Sequence, residues 1–350
     1  MSNVFDQPDS YDEQPRKRHT TRNVLFVFLG LFLIAALVAG TYIYNLANTF
    51  NNSTQKIETA FPDESSRPTK EPEDKNPGPE AVNILLMGSD TRADMGNLTS
   101  GSPTGERSDT IMLMHIPPDR ENVYVMSIMR DLWVEIPGHG MNKINAAMSF
   151  GGIPLTVQTI EGMFDDRIDH VAVIDFQGFK ALTEALGGVT VNVPYSFSTG
   201  EYAFEAGPMT LEGEQALAFV RERKAFSSGD YQRVANQQIF VKALLSEFLN
   251  AKTLTNPGRI SDVVKNFAPY ISVDEQLDAG RVGELAFSLR GVRSDDVKMF
   301  TLPTQGTGTS DDGQSIVLKD EQAIERISQA LDDGTLGQYL QSQGLVNSGG

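Results

Sequence analysis

The sequence predicts a three-layer α/β (α+β) domain, with helices around a mixed and largely antiparallel central sheet, preceded by one transmembrane helix. Three observations carry that prediction. Short apolar runs alternate with helical patterns from Asn83 onward. Val24 to Tyr44 (VLFVFLGLFLIAALVAGTYIY) is an uncharged run of 21 residues, long enough as a helix to cross a hydrocarbon core of ~30 Å. Between them lies a segment rich in Pro, Glu, Ser and Lys with almost no apolar periodicity, the composition of a chain that cannot bury enough surface to fold. The expected layout is a cytoplasmic tail at 1–23, a membrane helix at 24–44, a disordered extracytoplasmic linker at 45–82, a folded domain at 83–345 and a flexible tail at 346–350.

The 350 residues suffice for one large domain with a sizeable core. Lys and Arg total 29 against 46 Asp and Glu, a net charge of -17, which excludes a broad basic surface and hence nucleic acid as a partner. Cysteine is absent, which removes disulfide frameworks, thiolate metal sites and thiol nucleophiles. Arg16, Lys17, Arg18 and Arg22 precede the apolar run and no comparable cluster follows it. The positive-inside rule therefore puts the N-terminus in the cytoplasm and the folded domain outside a cell membrane crossed once.

The first strands are Val82 to Met87, Thr110 to Ile116 and Val123 to Met129, and each carries charged residues at one end only. In a meander, alternate strands reverse, so the end of the first, the start of the second and the end of the third share one edge. Asp90, Arg92, Arg107, Asp109, Arg130 and Asp131 converge there if these strands are neighbours. Further on, helices are expected at Ile153 to Phe164, Phe176 to Leu186, Leu211 to Val220 and Asp230 to Asn250, and near 258–267, 274–290 and 320–340. Strands are expected at His170 to Ile174, Val189 to Val193 and 297–302. Gly187-Gly188 closes the second of these helices. Arg221 and Arg223, two apart, diverge on a helix but can both serve a ligand where the helix ends. Arg233 and Gln237, four apart, share a helix face.

Two carboxylates with several arginines at one edge suit phosphoryl transfer on a pyrophosphate. Paired Asp oxygens match a hard cation that leaves positions for phosphates. Guanidinium forks match phosphate oxygens. The bland alternative for each residue alone is a surface ion pair; the grouping favours the chemistry.

The segments NILLMGSDTR (83–92), RSDTIMLMHI (107–116), VMSIMRDLWVEIP (125–137), MNKINAAMSFGG (141–152), DHVAVIDFQGFKALTEALGGVTVNVP (169–194), LEGEQALAFVRER (211–223) and GDYQRVANQQ (229–238) closely resemble, in order, the LytR-CpsA-Psr family. The resemblance implies a membrane-anchored phosphotransferase that moves an anionic glycopolymer, such as wall teichoic acid, capsule or arabinogalactan, from a polyprenyl-pyrophosphate carrier to a peptidoglycan hydroxyl, forming a phosphodiester. By the same resemblance Asp90 and Asp109 look like the carboxylates for Mg²⁺ (or Mn²⁺). Arg107, Arg130, Arg221 and Arg223 look like pyrophosphate clamps, with Arg233 and Gln237 completing the headgroup site and Arg107, Arg130 and Asp131 forming the catalytic set. Lys143 is a further phosphate candidate, against the reading of a helix-start lysine reaching solvent. Asp131 either orients Arg130 or takes the proton of the acceptor hydroxyl, and Arg92, in the GSDTR turn, is by the same resemblance a further pyrophosphate-binding candidate.

Two positions depart from the family pattern: Met129 stands where Pro is frequent, and Asn236 where a second Arg is frequent in the D-x-x-R-x-x-R-Q-Q run. A carrier lipid needs an apolar slot, and the candidates for its lining are Met112, Met114, Met126, Met129, Phe150, Met163, Phe164, Phe176, Phe179, Phe219, Phe240 and Phe248. The region 138–150 around Met141 is a candidate lid. His115, His139 and His170 show no ligand spacing. A pyrophosphatase or phosphatase, with water as acceptor, and a non-enzymatic anchored module that binds anionic glycans are the competing readings. The Asp pair weighs against the second, because bare carboxylates repel a polyanion unless a cation sits between.

Overall fold

Successive side chains of a strand point to opposite faces, and here both sets are apolar, so the sheet has to be covered on both sides. The computed structural model describes residues 20–69, 79–89, 108–249 and 256–346. The chain divides into two compact units, residues 1–46 and 47–350.

The strands in chain order are β1 (Gln55–Ile57), β2 (Val82–Ser89), β3 (Ser108–Ile116), β4 (Val123–Ile128), β5 (Leu132–Ile136), β6 (Gly140–Lys143), β7 (His170–Asp175), β8 (Val189–Val193), β9 (Phe197–Thr199), β10 (Tyr202–Phe204), β11 (Gly207–Leu211), β12 (Ile271–Asp274), β13 (Val297–Thr301), β14 (Thr304–Thr309) and β15 (Ser315–Lys319). The helices are α1 (Thr20–Ser53), α2 (Ala146–Phe164), α3 (Phe176–Ala185), α4 (Gly213–Arg221), α5 (Asp230–Leu249), α6 (Pro257–Phe267), α7 (Ala279–Ser288), α8 (Glu321–Asp332) and α9 (Leu336–Ser342).

A seven-stranded sheet in the order β1-β12-β7-β2-β3-β4-β13 forms the centre. The antiparallel meander β2-β3-β4 is its middle, with Ser89 opposite Ser108 and Ile111 opposite Ile128. The end of β2, the start of β3 and the end of β4 therefore lie together. β7 runs parallel to β2 and pairs Asp175 with Ser89, and β13 runs parallel to β4 and pairs Thr301 with Ser127, so their ends join the same edge. The sheet is mixed, but not largely antiparallel: β1 also runs parallel to β12, and only β7-β12 adds to the antiparallel pairs. Crossovers through helices return the chain in the same direction, which the meander alone does not foreshadow.

Leu85, Met87, Leu113, Met126, Val171 and Val173 face a core with Ile153, Val157 and Ile160 of α2, Ile324 and Ile327 of α8, and Leu336 and Leu340 of α9. Their neighbours Ile84, Met112, Val125 and Val273 face a second core with Leu285 of α7, against which Val241 and Leu245 of α5 pack. A third core gathers Leu182, Val191, Leu211, Phe219 and Phe240 around the β8-β11 hairpin. A separate four-stranded sheet, β14-β15-β5-β6, follows the Arg130-Asp131 pair.

Several expectations change. The helix expected from Ile153 begins at Ala146, with non-helical backbone at Gly151 and Gly152. The helix expected near 274–290 is present but shorter, as α7 after the end of β12, and that at 320–340 is two helices broken at Gly334, whose φ is 65°. The candidate lid region holds β6, which pairs with β5, and the start of α2, with Met141 exposed. The expected linker at 45–82 is partly structural. β1 pairs in register with β12. Arg67 donates to Ile168 O at 2.7 Å, and through Nε to the Glu161 carboxylate at 3.1 Å. Glu161 is fully buried, so it needs that cation, and the polar composition of the segment concealed the demand. Most of the expected membrane span lies in residues 20–34, whose side chains are outside those described; among the described residues no helix is long and apolar enough to cross a membrane.

Two predictions concern stability. Arg67→Ala leaves the Glu161 carboxylate buried without its cation and is expected to cost about 3 kcal/mol, read by urea denaturation. Asp166 is pushed up to about 6 by burial, against the hydrogen bond from Asn83. The native state then binds more protons than the unfolded chain between the ordinary 3.8 and about 6, so this group makes the protein less stable as pH rises through that window. His115, pushed down to about 4 by burial, acts the opposite way. The difference between Asp166→Asn and wild type isolates the carboxyl: the variant gains about 2 kcal/mol relative to wild type between pH 4 and pH 7.

Candidate functional site

A slot opens on one face of the central sheet, between its strands and helices α3, α4, α5 and α6, and encloses about 440 Å³. Its depth is hydrocarbon. Leu86, Met112, Met114 and Ala172 contribute from the strands, and Phe179, Leu182, Phe240 and Leu244 from the helices. These strand residues all point to the α5 and α7 side, which is why they fall in one layer. Five of the expected lining residues, Met112, Met114, Phe176, Phe179 and Phe240, line it. Met126, Met129 and Phe164 are buried in the core of the other face, with Phe150 and Met163 against it, and Phe219 is filled into the third core. The Phe248 side chain is outside the described residues.

The mouth of the slot is cationic, with Arg130, Arg221, Arg223, Arg233 and Gln237 in its lining. Each reaches it by a different device. Arg130 is the second residue after β4. α4 ends at Arg221, and Glu222 turns to extended backbone with ψ 132°, so Arg223 leaves the helix and both arginines serve one opening. The Arg221 guanidinium lies over the Phe176 ring at 4.3 Å. Arg233 and Gln237 stand one turn apart on α5 and are nearly buried. Gln237 donates to Val220 O at 3.3 Å, tying α5 to the end of α4.

The anion that organises these cations escaped the sequence reading. Asp230, first residue of α5, accepts from Arg233 at 2.9 Å and pairs with Arg130 at 3.2 Å and Arg223 at 3.9 Å. Its sequence signals are its place as the Asp of the D-x-x-R-x-x-R-Q-Q run and at a helix start, where an acidic residue is ordinary. Asp131 sits 3.7 Å from Arg130 Nε and 3.4 Å from Lys143 Nζ. Lys143, at the end of β6, is thus neither solvent-directed nor in the slot lining; it meets Asp131 instead. Arg130 is largely covered, its side chain 16% exposed, so its ion pairs count for more than those of a surface arginine. Asp175, also in the lining, caps α3 by accepting from Gly178 N at 2.6 Å, and burial holds its carboxyl above the ordinary value.

Both departures from the family pattern have packing explanations. Met129 is fully buried in the core. Asn236 is also fully buried; it donates to Phe219 O at 3.5 Å and accepts from Gln232 at 3.0 Å, so it is turned to the protein and does not stand in for a phosphate contact. Asp90, Arg92, Arg107 and the side chain of Asp109 lie outside the described residues. The described residues next to them, Ser89 and Ser108, are paired across β2 and β3 at the sheet end that Arg130 follows. No group of three or more metal-ligating side chains occurs among the described residues. His115 bonds Asn83, His139 stacks on Phe150 and His170 pairs with Asp274.

Slot and mouth together give the protein an apolar cavity that ends in a cluster of arginines. The LytR_cpsA_psr family model matches residues 41–333, and the chain belongs to that family. It is 33% identical over 331 residues to the polyisoprenyl-teichoic acid–peptidoglycan teichoic acid transferase TagU of Oceanobacillus iheyensis, covering 90% of this chain and 96% of that one. It is 29% identical over 322 residues to the protein of the same name in Bacillus subtilis, covering 91% and 97%. The crystal structure of B. subtilis TagV matches 73% of this chain and 97% of its own at a TM-score of 0.63 and 26% identity. A structure of TagT bound to LI-WTA matches 79% and 99% at a TM-score of 0.60 and 26% identity.

Removing the organising anion tests the cluster. Asp230→Asn leaves Arg130, Arg223 and Arg233 to repel one another, so the melting temperature falls. Inorganic pyrophosphate, which replaces the missing charge, raises the melting temperature of the variant more than that of wild type, measured by thermal denaturation with and without the anion.

Proposed function

We propose that the chain is a membrane-anchored phosphotransferase that moves a teichoic-acid-type anionic glycopolymer from a polyprenyl-pyrophosphate carrier to a peptidoglycan hydroxyl. The observation that carries this is the apolar slot ending in four arginines: the polyprenyl chain enters the slot and its pyrophosphate stops at the mouth. The names of the relatives support the substrate class. The uncharged run Val24 to Tyr44 and the basic residues before it support a single membrane helix with the domain outside.

In this reading Arg221 and Arg223 meet the pyrophosphate from the end of α4, Arg130 and Arg233 from the opposite walls. Their charge stabilises the negative charge that gathers on the leaving phosphate. Asp230 holds three of them in place before substrate arrives, so little is spent on ordering side chains during reaction. Asp131 fixes Arg130 and Lys143 from the other side. Asp90 and Asp109 fit a hard divalent cation, Mg²⁺ or Mn²⁺, by donor chemistry and because the residues beside them, Ser89 and Ser108, are paired at the mouth end of the sheet. Such a cation, when bound, supplies charge neutralisation at the phosphates.

The test is the full chain in detergent with a synthetic polyprenyl-pyrophosphate glycan and peptidoglycan oligomers, the product read by mass, with and without Mg²⁺. A phosphodiester adduct is expected. Arg221→Ala is expected to lower transfer by about 10²-fold with little change in folding, because that arginine is exposed. Released phosphorylated glycan without adduct points to a hydrolase, and binding without turnover to a glycan-binding module. Adduct formation undiminished in Asp109→Ala removes the metal assignment.

A further inference from the structure

A second cavity of about 390 Å³ lies on the far side of the ion cluster, between the start of α5 and the β14-β15 strands. Its lining differs from that of the slot. Beside the apolar Met129, Ile316 and Val317, the residues Asp131, Lys224, Ser228, Tyr231, Thr307 and Ser315 supply charge, hydroxyls and one aromatic ring. Two contacts fix its walls: the Tyr231 hydroxyl meets Thr304 Oγ1 at 2.9 Å, holding β14 to α5, and Val317 N donates to Asp131 O at 2.9 Å, holding β15 to the residue after Arg130. Chain neighbours part here. Arg130 lines the slot, Asp131 lines the second cavity, and Arg223 lines both.

Displacement at phosphorus runs in line, so the attacking oxygen and the leaving oxygen stand on opposite sides of the transferred group. With the carrier in the slot, the attacking group has to arrive from another opening past the arginines. The second cavity is such an opening, it is of ligand size, and its hydroxyl and amphipathic lining suits a sugar ring rather than a hydrocarbon.

We propose that this cavity is the acceptor subsite and holds one saccharide unit of the peptidoglycan glycan strand, its free hydroxyl beside Asp131. The inference rests on the transferase reading above. In the step it serves, the acceptor oxygen forms a bond to the glycan-bearing phosphorus, and the bond from that phosphorus to the bridging oxygen breaks. The electron pair leaves with polyprenyl monophosphate, and the hydroxyl proton passes to the Asp131 carboxylate.

The experiment fills the cavity without touching the slot. Ser315→Trp and Thr307→Trp are made in the full chain, with Thr307→Ala as a mild control on folding. Binding of an uncrosslinked glycan-strand fragment, binding of the synthetic lipid-pyrophosphate glycan and transfer kinetics are measured on each. The Trp variants are expected to raise the acceptor KM by about tenfold or more while the lipid-pyrophosphate affinity stays within about twofold, and Thr307→Ala to raise it by a smaller factor. An acceptor KM and fragment affinity unchanged in folded Trp variants overturn the subsite and leave the transferase reading standing. If the Trp variants do not fold, Thr307→Ala and Lys224→Glu decide, and unchanged acceptor binding in both overturns it. A wild-type chain that binds the fragment, loses it on Trp substitution and yet transfers nothing sinks the transferase reading and leaves the saccharide site.

Discussion

Like charges crowded at the rim of a hydrocarbon slot repel one another, and desolvation there makes the repulsion worse. Asp230 answers that constraint. One carboxylate draws together a residue after β4, a residue beyond the end of α4 and a residue one turn along its own helix. It does so from the first turn of α5, where the helix dipole favours an anion. Apolar packing holds α5 against the sheet, and the turn after α4 and the covered position of Arg130 bring their guanidinium groups to that carboxylate. The guanidinium groups are consequently held in place by the protein's own carboxylate, the arrangement that keeps reorganisation cost low when charge is stabilised.

The slot and the mouth are two results of one topology. Strand alternation gives the sheet a second apolar face, and the helices that cover it leave a gap where Met112 and Met114 stand beside Phe179 and Phe240. Methionine fills irregular space with little strain, so these side chains can line a cavity without closing it. The ends of β2, β4, β7 and β13 meet at the same edge, so the place where the slot emerges is also where the chain turns and carries charge. Fold and chemistry meet there for the same reason that ligands settle at strand ends in other α/β sheets.

Much of this was legible in advance, and the rest was hidden for identifiable reasons. β2, β3, β4, β7, β8 and β13 were readable because each is a run of apolar residues bounded by charge or glycine, and the shared edge of the meander followed from counting reversals. The β14-β15 pair was not: Thr304 to Thr309 reads TQGTGT, with no apolar alternation to mark a strand. β5 has the alternation, in LWVEI, but follows the Arg130-Asp131 pair so closely that the charged turn masks it. β1 is three residues in a polar stretch, chosen by its partner rather than by its own propensity. Asp230 reads locally as a helix start, and only tertiary structure brings three arginines to it. Lys143 was placed with the phosphate candidates by its segment's resemblance to the family, and its pairing with Asp131 was not readable because β6 brings the two together only in the fold.

The edge pairing of β1 with β12 bears on how the chain comes to be folded. Residue 55 has its partner at residue 272, and contacts of such separation close late, since loop-closure entropy has to be met first. During synthesis the segment that will become the sheet's border emerges early and stays unmatched until β12, more than 200 residues later, has followed it. Its lysine and glutamine keep the waiting strand poorly adhesive toward other chains. The polar sequence that made this stretch look unstructured is what permits the delay.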